Sequence, residues 1–215
     1  MTVQHFVVHE LPTTRWRNGN GTTRQIRSLA IAADLNSFAW RRSVADITGD
    51  STFSVFNSVE RTIVLLSGDG IDLDGTRVHH RLDTVGAPFV FDGATRLTCT
   101  VLGRPSRVLN VMARPTRGRA RIDLLSQLTT LGADDGVLLS VRGVWQVGSE
   151  QVGAGTGLWW AGSPHLWRLE PSDPSNLLAA IRWEPRPDHN GSPPHRQGER
   201  RRGQRRTQSI ERSVR

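Results

Sequence analysis

Short apolar runs, broken by turn residues about every eight to twelve positions, set the tightest limit on what this chain can fold into. The runs fall at residues 6–9, 37–47, 61–66, 71–73, 76–78, 88–91, 95–102 and 108–112. They resume at 121–125, 136–141, 144–147, 150–152, 158–160, 166–169 and 177–183. Ser67-Gly68-Asp69-Gly70, Asp74-Gly75 and Asp92-Gly93 punctuate them, and Asp-Gly between apolar runs is a hairpin signal. No stretch carries the apolar period of an amphipathic helix, and residues 126–131 are expected to form at most one helical turn. The pattern predicts an all-β sandwich or barrel. A break at 114–120, rich in Arg, Pro and Gly, separates two β units, expected at 1–115 and 120–184.

Charge is unevenly distributed. All 28 basic residues are arginine, and the formal net charge is +8. From Arg186 onward nine arginines face only Asp188, Glu199 and Glu211, which leaves residues 1–185 near neutrality. Residues 185–215 have few large apolar side chains to offset the entropy of ordering, so the segment is predicted to be disordered. Its Arg200-Arg201-Arg202 and Arg205-Arg206 clusters lack interleaved aromatics, which argues against specific nucleic-acid recognition. No apolar run reaches the ~20 residues of a membrane span, and a cytoplasmic protein is expected. Cys99 is the single cysteine. It alternates with the apolar side of its run, as a buried, inert thiol would.

Metal and nucleophile chemistry find little support. His79 and His80 are adjacent and would point to opposite strand faces, with no partner at ligand spacing. No serine stands in a nucleophile-elbow pattern. No metal and no cofactor are expected.

More informative are polar residues inside apolar strands. Arg41, Arg42 and Ser43 follow Trp40, Arg61 opens the most apolar run, and Asn110 lies within Val108–Met112, just before Arg114. A buried guanidinium is costly unless paired, and its planar fork matches a carboxylate. Two such arginines facing a hollow interior would suit a small acid. Residue chemistry alone favours the alternative, in which they pair with Asp46, Asp69 or Asp92 and simply pin strands together. The run Trp16-Arg17-Asn18-Gly19-Asn20-Gly21-Thr22-Thr23 joins a large ring, a turn and hydroxyls at the mouth of a strand. It reads equally as a pocket rim or as a β-turn beside a core tryptophan.

Taken together these segments resemble the HutD/Ves family. The resemblance runs from about Leu11 to Trp183. It is carried by Trp16–Arg24, Phe38-Ala39-Trp40-Arg41-Arg42-Ser43-Val44-Ala45-Asp46-Ile47, Phe53-Ser54-Val55-Phe56 with Arg61, and Leu65-Leu66-Ser67-Gly68-Asp69-Gly70. Further marks are Pro88-Phe89-Val90-Phe91-Asp92-Gly93, Asn110-Val111-Met112-Ala113-Arg114, Gly143-Val144-Trp145-Gln146-Val147-Gly148 and the Trp159 region.

The resemblance implies a metal-free bicupin, two β-barrel units in one chain, with a homodimer compatible with it. It also implies binding of a small acidic metabolite of histidine degradation, such as formylglutamate or urocanate. The role would be regulatory or accessory, in histidine utilisation or stress response. Arg41 and Arg61 would hold a carboxylate, with Asn110 giving an orienting hydrogen bond. Trp16 and Trp40 would wall the pocket and Asn18 and Thr23 would line its rim, with Ser43, Met112 and Arg114 alongside.

Three departures touch this region. Asn57-Ser58 replaces a favoured Pro-Gly, Val108-Leu109 replaces Asp-Phe, and Gln25 stands where an acid is common. Competing readings are a cofactor-independent lyase or isomerase that uses the same arginines, and a protein-interaction adaptor with a vestigial pocket.

Overall fold

Side-chain alternation along the strands builds the molecule in layers. A computed structural model describes residues 3–31 and 34–187, and of Asp34, Leu35 and Asn36 the backbone only. The arginine clusters of the predicted tail lie outside the described residues.

A six-stranded sheet has the order β2 (Thr13–Arg15), β3 (Gly21–Ile31), β4 (Asp34–Ile47), β11 (Ser106–Ala113), β6 (Glu60–Ser67), β9 (Pro88–Asp92). Against it packs a four-stranded sheet of β5 (Ser51–Thr52), β10 (Thr98–Val101), β7 (Ile71–Gly75) and β8 (Val78–Leu82). A five-stranded sheet has the order β1 (Val3–Val7), β17 (Thr156–Trp160), β14 (Gly136–Arg142), β19 (Leu177–Pro185), β12 (Gly118–Leu125). Its partner is a sheet of β13 (Thr129–Ala133), β18 (His165–Pro171), β15 (Trp145–Val147) and β16 (Glu150–Val152).

The structure is all-β, and its sheets are open rather than closed barrels. Among the described residues the one helical element is a 3-10 turn, Val8–Glu10. The helical turn predicted at 126–131 is absent, and its last residues enter β13 instead. Leu131 is recruited there into a core with Trp145, Val147 and Leu169.

Each large sheet is buried on both faces. One face of the six-stranded sheet joins Ala45, Ile47, Ile63, Leu65 and Val108 to Ile71, Leu73, Leu97 and Cys99 of the smaller sheet and its flanks. The opposite face offers Val44, Val64, Leu109 and Val111 to Val137, Leu139, Ala179 and Ile181 of the second half. Period two thus sends alternate residues of β4, β6 and β11 into two different cores.

The first strand crosses this division. Val3–Val7, expected in the first unit, pairs with β17 in the second half's sheet. Phe6 lies directly opposite Gly157, where an added Cβ would stand 2.6 Å from the ring. The bare glycine surface accommodates the aromatic and fixes the register.

Asp74-Gly75 is not a turn either. Both residues belong to β7, and the reversal falls at Thr76 and Arg77, because Gly75 pairs with Val78. A Cβ at Gly75 would lie 2.6 Å from the Arg96 carbonyl oxygen, so close chain approach demands the glycine here.

Cys99 is buried in β10 as expected, and burial pushes its thiol up to about 12. Native protein should therefore resist alkylation by iodoacetamide at pH 8, whereas protein in urea should react within minutes. Equal rates in the two conditions would contradict this placement.

Candidate functional site

Three adjacent strands lay polar groups on the floor of the first half. Met112 of β11 pairs with Arg41 of β4 on one side and with Arg61 of β6 on the other. One row along, Asn110 is flanked by Ser43 and Ile63, and beyond it Val108 is flanked by Ala45 and Leu65. All of these but Leu65 form the base of a cavity of about 490 Å³. Its walls are Phe53, Ser54 and Phe56 from the loop after β5, and Trp16 and Asn18 from the hairpin between β2 and β3.

The hairpin explains the Asn-Gly run. Trp16 N–H donates to the Gly21 carbonyl, and Gly19, at φ 77°, donates to the Trp16 carbonyl. Asn18 Oδ1 accepts the Asn20 N–H, which closes an Asx turn. A Cβ on Gly21 would stand 2.8 Å from the Trp16 ring, so the glycine lets the indole lie flat on the strand. Trp16 Nε1 then donates to Thr23 Oγ1 at 2.9 Å. The tryptophan serves both turn and pocket.

The floor's electrostatics are unusual. Among the described residues no carboxylate lies within ion-pairing distance of Arg41 or Arg61. Asp46 pairs with Arg24 and Arg107, and Asp69 with Arg104. The expected pairing of the pocket arginines with acids is therefore overturned, and strand parity is the reason for Asp46. Asp46 and Arg41 are an odd number of residues apart on one strand and face opposite ways.

Arg61 is instead satisfied in part by the Ser54 carbonyl at 3.0 Å and by Asn110 Oδ1 at 3.5 Å. Its guanidinium carbon stands 5.1 Å from the Phe53 ring and 5.0 Å from the Phe91 ring. Arg41 lies between Phe38 and Phe56 at 4.9 and 5.0 Å and donates to Met112 Sδ at 3.3 Å. Nε of each arginine is buried without a partner among the described residues. Burial, and secondarily the charge of Arg41, lower Arg61 to about 10, and burial also lowers Arg41. Both groups remain cationic at neutral pH. Arg15 and Arg17 add two exposed cations to the cavity wall, which contains no Asp or Glu.

Eight of the ten residues selected from the sequence line this one cavity: Arg41, Arg61, Asn110, Ser43, Met112, Trp16, Asn18 and Thr23. Trp40 does not. It points to the opposite face, 1% exposed, and packs against Trp183 with ring centroids 6.4 Å apart. Arg114 also lies outside the lining and bonds the carbonyls of Phe38 and Asn57. Sequence reasoning missed Phe53, Phe56, Arg15 and Arg17 as wall residues. Phe53 and Phe56 sit in a loop, where no periodicity marks an inward side chain.

The loop departure resolves in a specific way. Ser58 has φ 58°, a left-handed conformation that suits glycine. The turn into β6 thus tolerates serine under strain. Ser58→Gly should raise stability by about 1 kcal/mol in urea unfolding, and a loss would show that the Ser58 side chain matters more than its backbone.

Comparison with known proteins settles the family. A family model described as HutD matches residues 8–178. The chain belongs to the HutD/Ves family. Among its HutD-family relatives, Protein Ves of Citrobacter koseri is 34% identical over 185 residues, covering 85% of this chain and 96% of that protein. The structure of HutD from Pseudomonas fluorescens SBW25 superposes with a TM-score of 0.75 at 23% identity, covering 85% of this chain and all of that one. A cupin 2 conserved barrel domain protein from Leptotrichia buccalis shares the fold at a TM-score of 0.52 and 11% identity, covering 84% and 96% of the two chains. This HutD-family chain is therefore cupin-like in architecture. Among its described residues no helix is long and apolar enough to cross a membrane.

Proposed function

We propose that this HutD-family protein is a metal-free bicupin whose N-terminal cavity receives a small metabolite through its carboxylate. The observation that carries this reading is the pair of guanidinium groups, buried Arg61 and half-buried Arg41, that meet in one cavity with no acid among the described residues to neutralise them. A desolvated cation held beside a second, half-buried one is costly, and an anionic guest offsets that cost with charge-assisted hydrogen bonds. Asn110 supplies an orienting amide, and Trp16, Phe53 and Phe56 offer apolar area to the guest's carbon skeleton. Family membership directs the choice of guest to acids of histidine degradation, formylglutamate and urocanate foremost. It also directs the role to regulating or assisting that pathway in the cytoplasm.

Thermal unfolding with N-formylglutamate, urocanate and their neutral amides tests the reading. An acid held at about 100 times its dissociation constant should stabilise the protein by about 2.7 kcal/mol. Its amide should do far less. Equal effects of acid and amide, or no stabilisation by either acid, would refute the proposal. Following the acid by NMR over hours separates binding from turnover.

A further inference from the structure

Arg114 follows the last residue of β11 and is not among the residues that line the cavity. Its Nε donates to the Phe38 carbonyl at 3.0 Å and its Nη1 to the Asn57 carbonyl at 3.2 Å. Its own N–H donates to the Ala39 carbonyl at 2.8 Å. One residue thus fastens β4 to the loop that walls the cavity. The segments it fastens carry Phe38 and Phe56, whose rings meet edge to face with centroids 6.2 Å apart. Those are the two rings that flank the Arg41 guanidinium. With no carboxylate partner among the described residues, Arg41 takes its direction from these aromatic faces and from Met112 Sδ.

The geometry points to Arg114 as a positioning residue for the binding site, acting through the Phe38–Phe56 pair to aim Arg41 into the cavity. The inference rests on the reading of Arg41 and Arg61 as the anion receptor. Two carbonyls on separate segments need two divergent N–H donors, which a guanidinium offers and an ammonium offers less well. The loop has a second attachment, Phe56 N–H to the Gly93 carbonyl at 2.8 Å. Removing Arg114 therefore loosens the aromatic pair without freeing the whole loop.

The test is a double-mutant cycle on the full chain, with affinity for N-formylglutamate and urocanate measured by calorimetry. Arg114→Gln should weaken binding about tenfold, the scale of one charge-assisted hydrogen bond, and Arg114→Lys should recover part of the loss. In an Arg41→Met background, Arg114→Gln should cost no further affinity, because its effect passes through Arg41. Full additivity, or wild-type affinity in Arg114→Gln, would overturn the assignment. A readout independent of the acids is the Nε–H NMR signal of Arg41 in the unliganded protein, assigned by its loss in Arg41→Met. Faster solvent exchange of that signal in Arg114→Gln supports the role, and an unchanged rate refutes it. Failure of both acids to bind wild type would sink the proposed ligand class, while the NMR comparison still decides the role of Arg114.

Discussion

Replacing Arg61 by methionine is expected to remove most of the stabilisation by an acidic ligand while making the unliganded protein more stable. The two effects share one cause. Arg61 is 5% exposed, and its guanidinium is desolvated beside a second cation without a carboxylate among the described residues. Methionine keeps most of the volume, retains packing against Phe53, Phe56 and Phe91, and removes the buried charge. Its lost contacts are one bond to the Ser54 carbonyl and a long one to Asn110, worth less than the desolvation relieved. A gain of about 1 kcal/mol, or roughly 2–4 °C in melting temperature, follows for the unliganded protein. The ligand loses one arm of its receptor, about 2–5 kcal/mol of binding, which drives affinity down by at least ~30-fold. A site that lowers stability when empty and is needed only for binding is the mark of function over folding. Melting curves with and without N-formylglutamate measure both effects at once. Strong destabilisation of the unliganded variant would show that Arg61 is a structural tie.

The opposite outcome is expected at Asp135. Arg42, next in sequence to Arg41, is fully buried on the other sheet face, with its guanidinium carbon 4.0 Å from the Trp40 ring. It reaches Asp135 in the turn between β13 and β14 of the second half, with Nη1 to Oδ1 at 3.1 Å. Burial lowers Arg42 to about 10 despite the pairing, and burial likewise raises Asp135 above the ordinary carboxylate value despite Arg42. Desolvation thus outweighs mutual attraction for both partners, so the pair is a costly link whose breakage is costlier. Asp135→Ala leaves a buried arginine uncompensated and should destabilise by about 3–5 kcal/mol in urea unfolding. The double variant Arg42→Met/Asp135→Leu should recover most of that loss, since it removes both charges together. A cost below about 1 kcal/mol for Asp135→Ala would mean that water or another group takes over the pairing.

The contrast between Arg41 and Arg42 shows what a linear reading can and cannot reach. Residues two apart on a strand share a face, so Arg41 with Ser43, Asn110 with Met112, and Arg61 with Ile63 are each legible as pairs. The all-β class was legible too, because short apolar runs closed by turn residues leave no helical face to bury. Whether Arg41 or Arg42 faced the hollow was not legible, since both faces of β4 are buried and apolar residues occur on each. For the same reason Trp40 was assigned to the pocket although it packs between the two halves. The Asp-Gly pair in β7 misled because glycine serves close chain approach as well as turns, and composition does not distinguish the two uses.

By itself the sequence determined local alternation, strand-rich architecture, the inert cysteine and the family, since each depends on residue type and near-neighbour order. Tertiary structure alone decided that β11 runs between β4 and β6 in a register that puts Met112 between Arg41 and Arg61. It also decided that Asp46 is turned to the other face of β4, where it pairs with Arg24 and Arg107. Register between distant strands is chosen by how whole sheets bury their surfaces, and it is that choice which leaves two cations in one cavity without a carboxylate partner among the described residues.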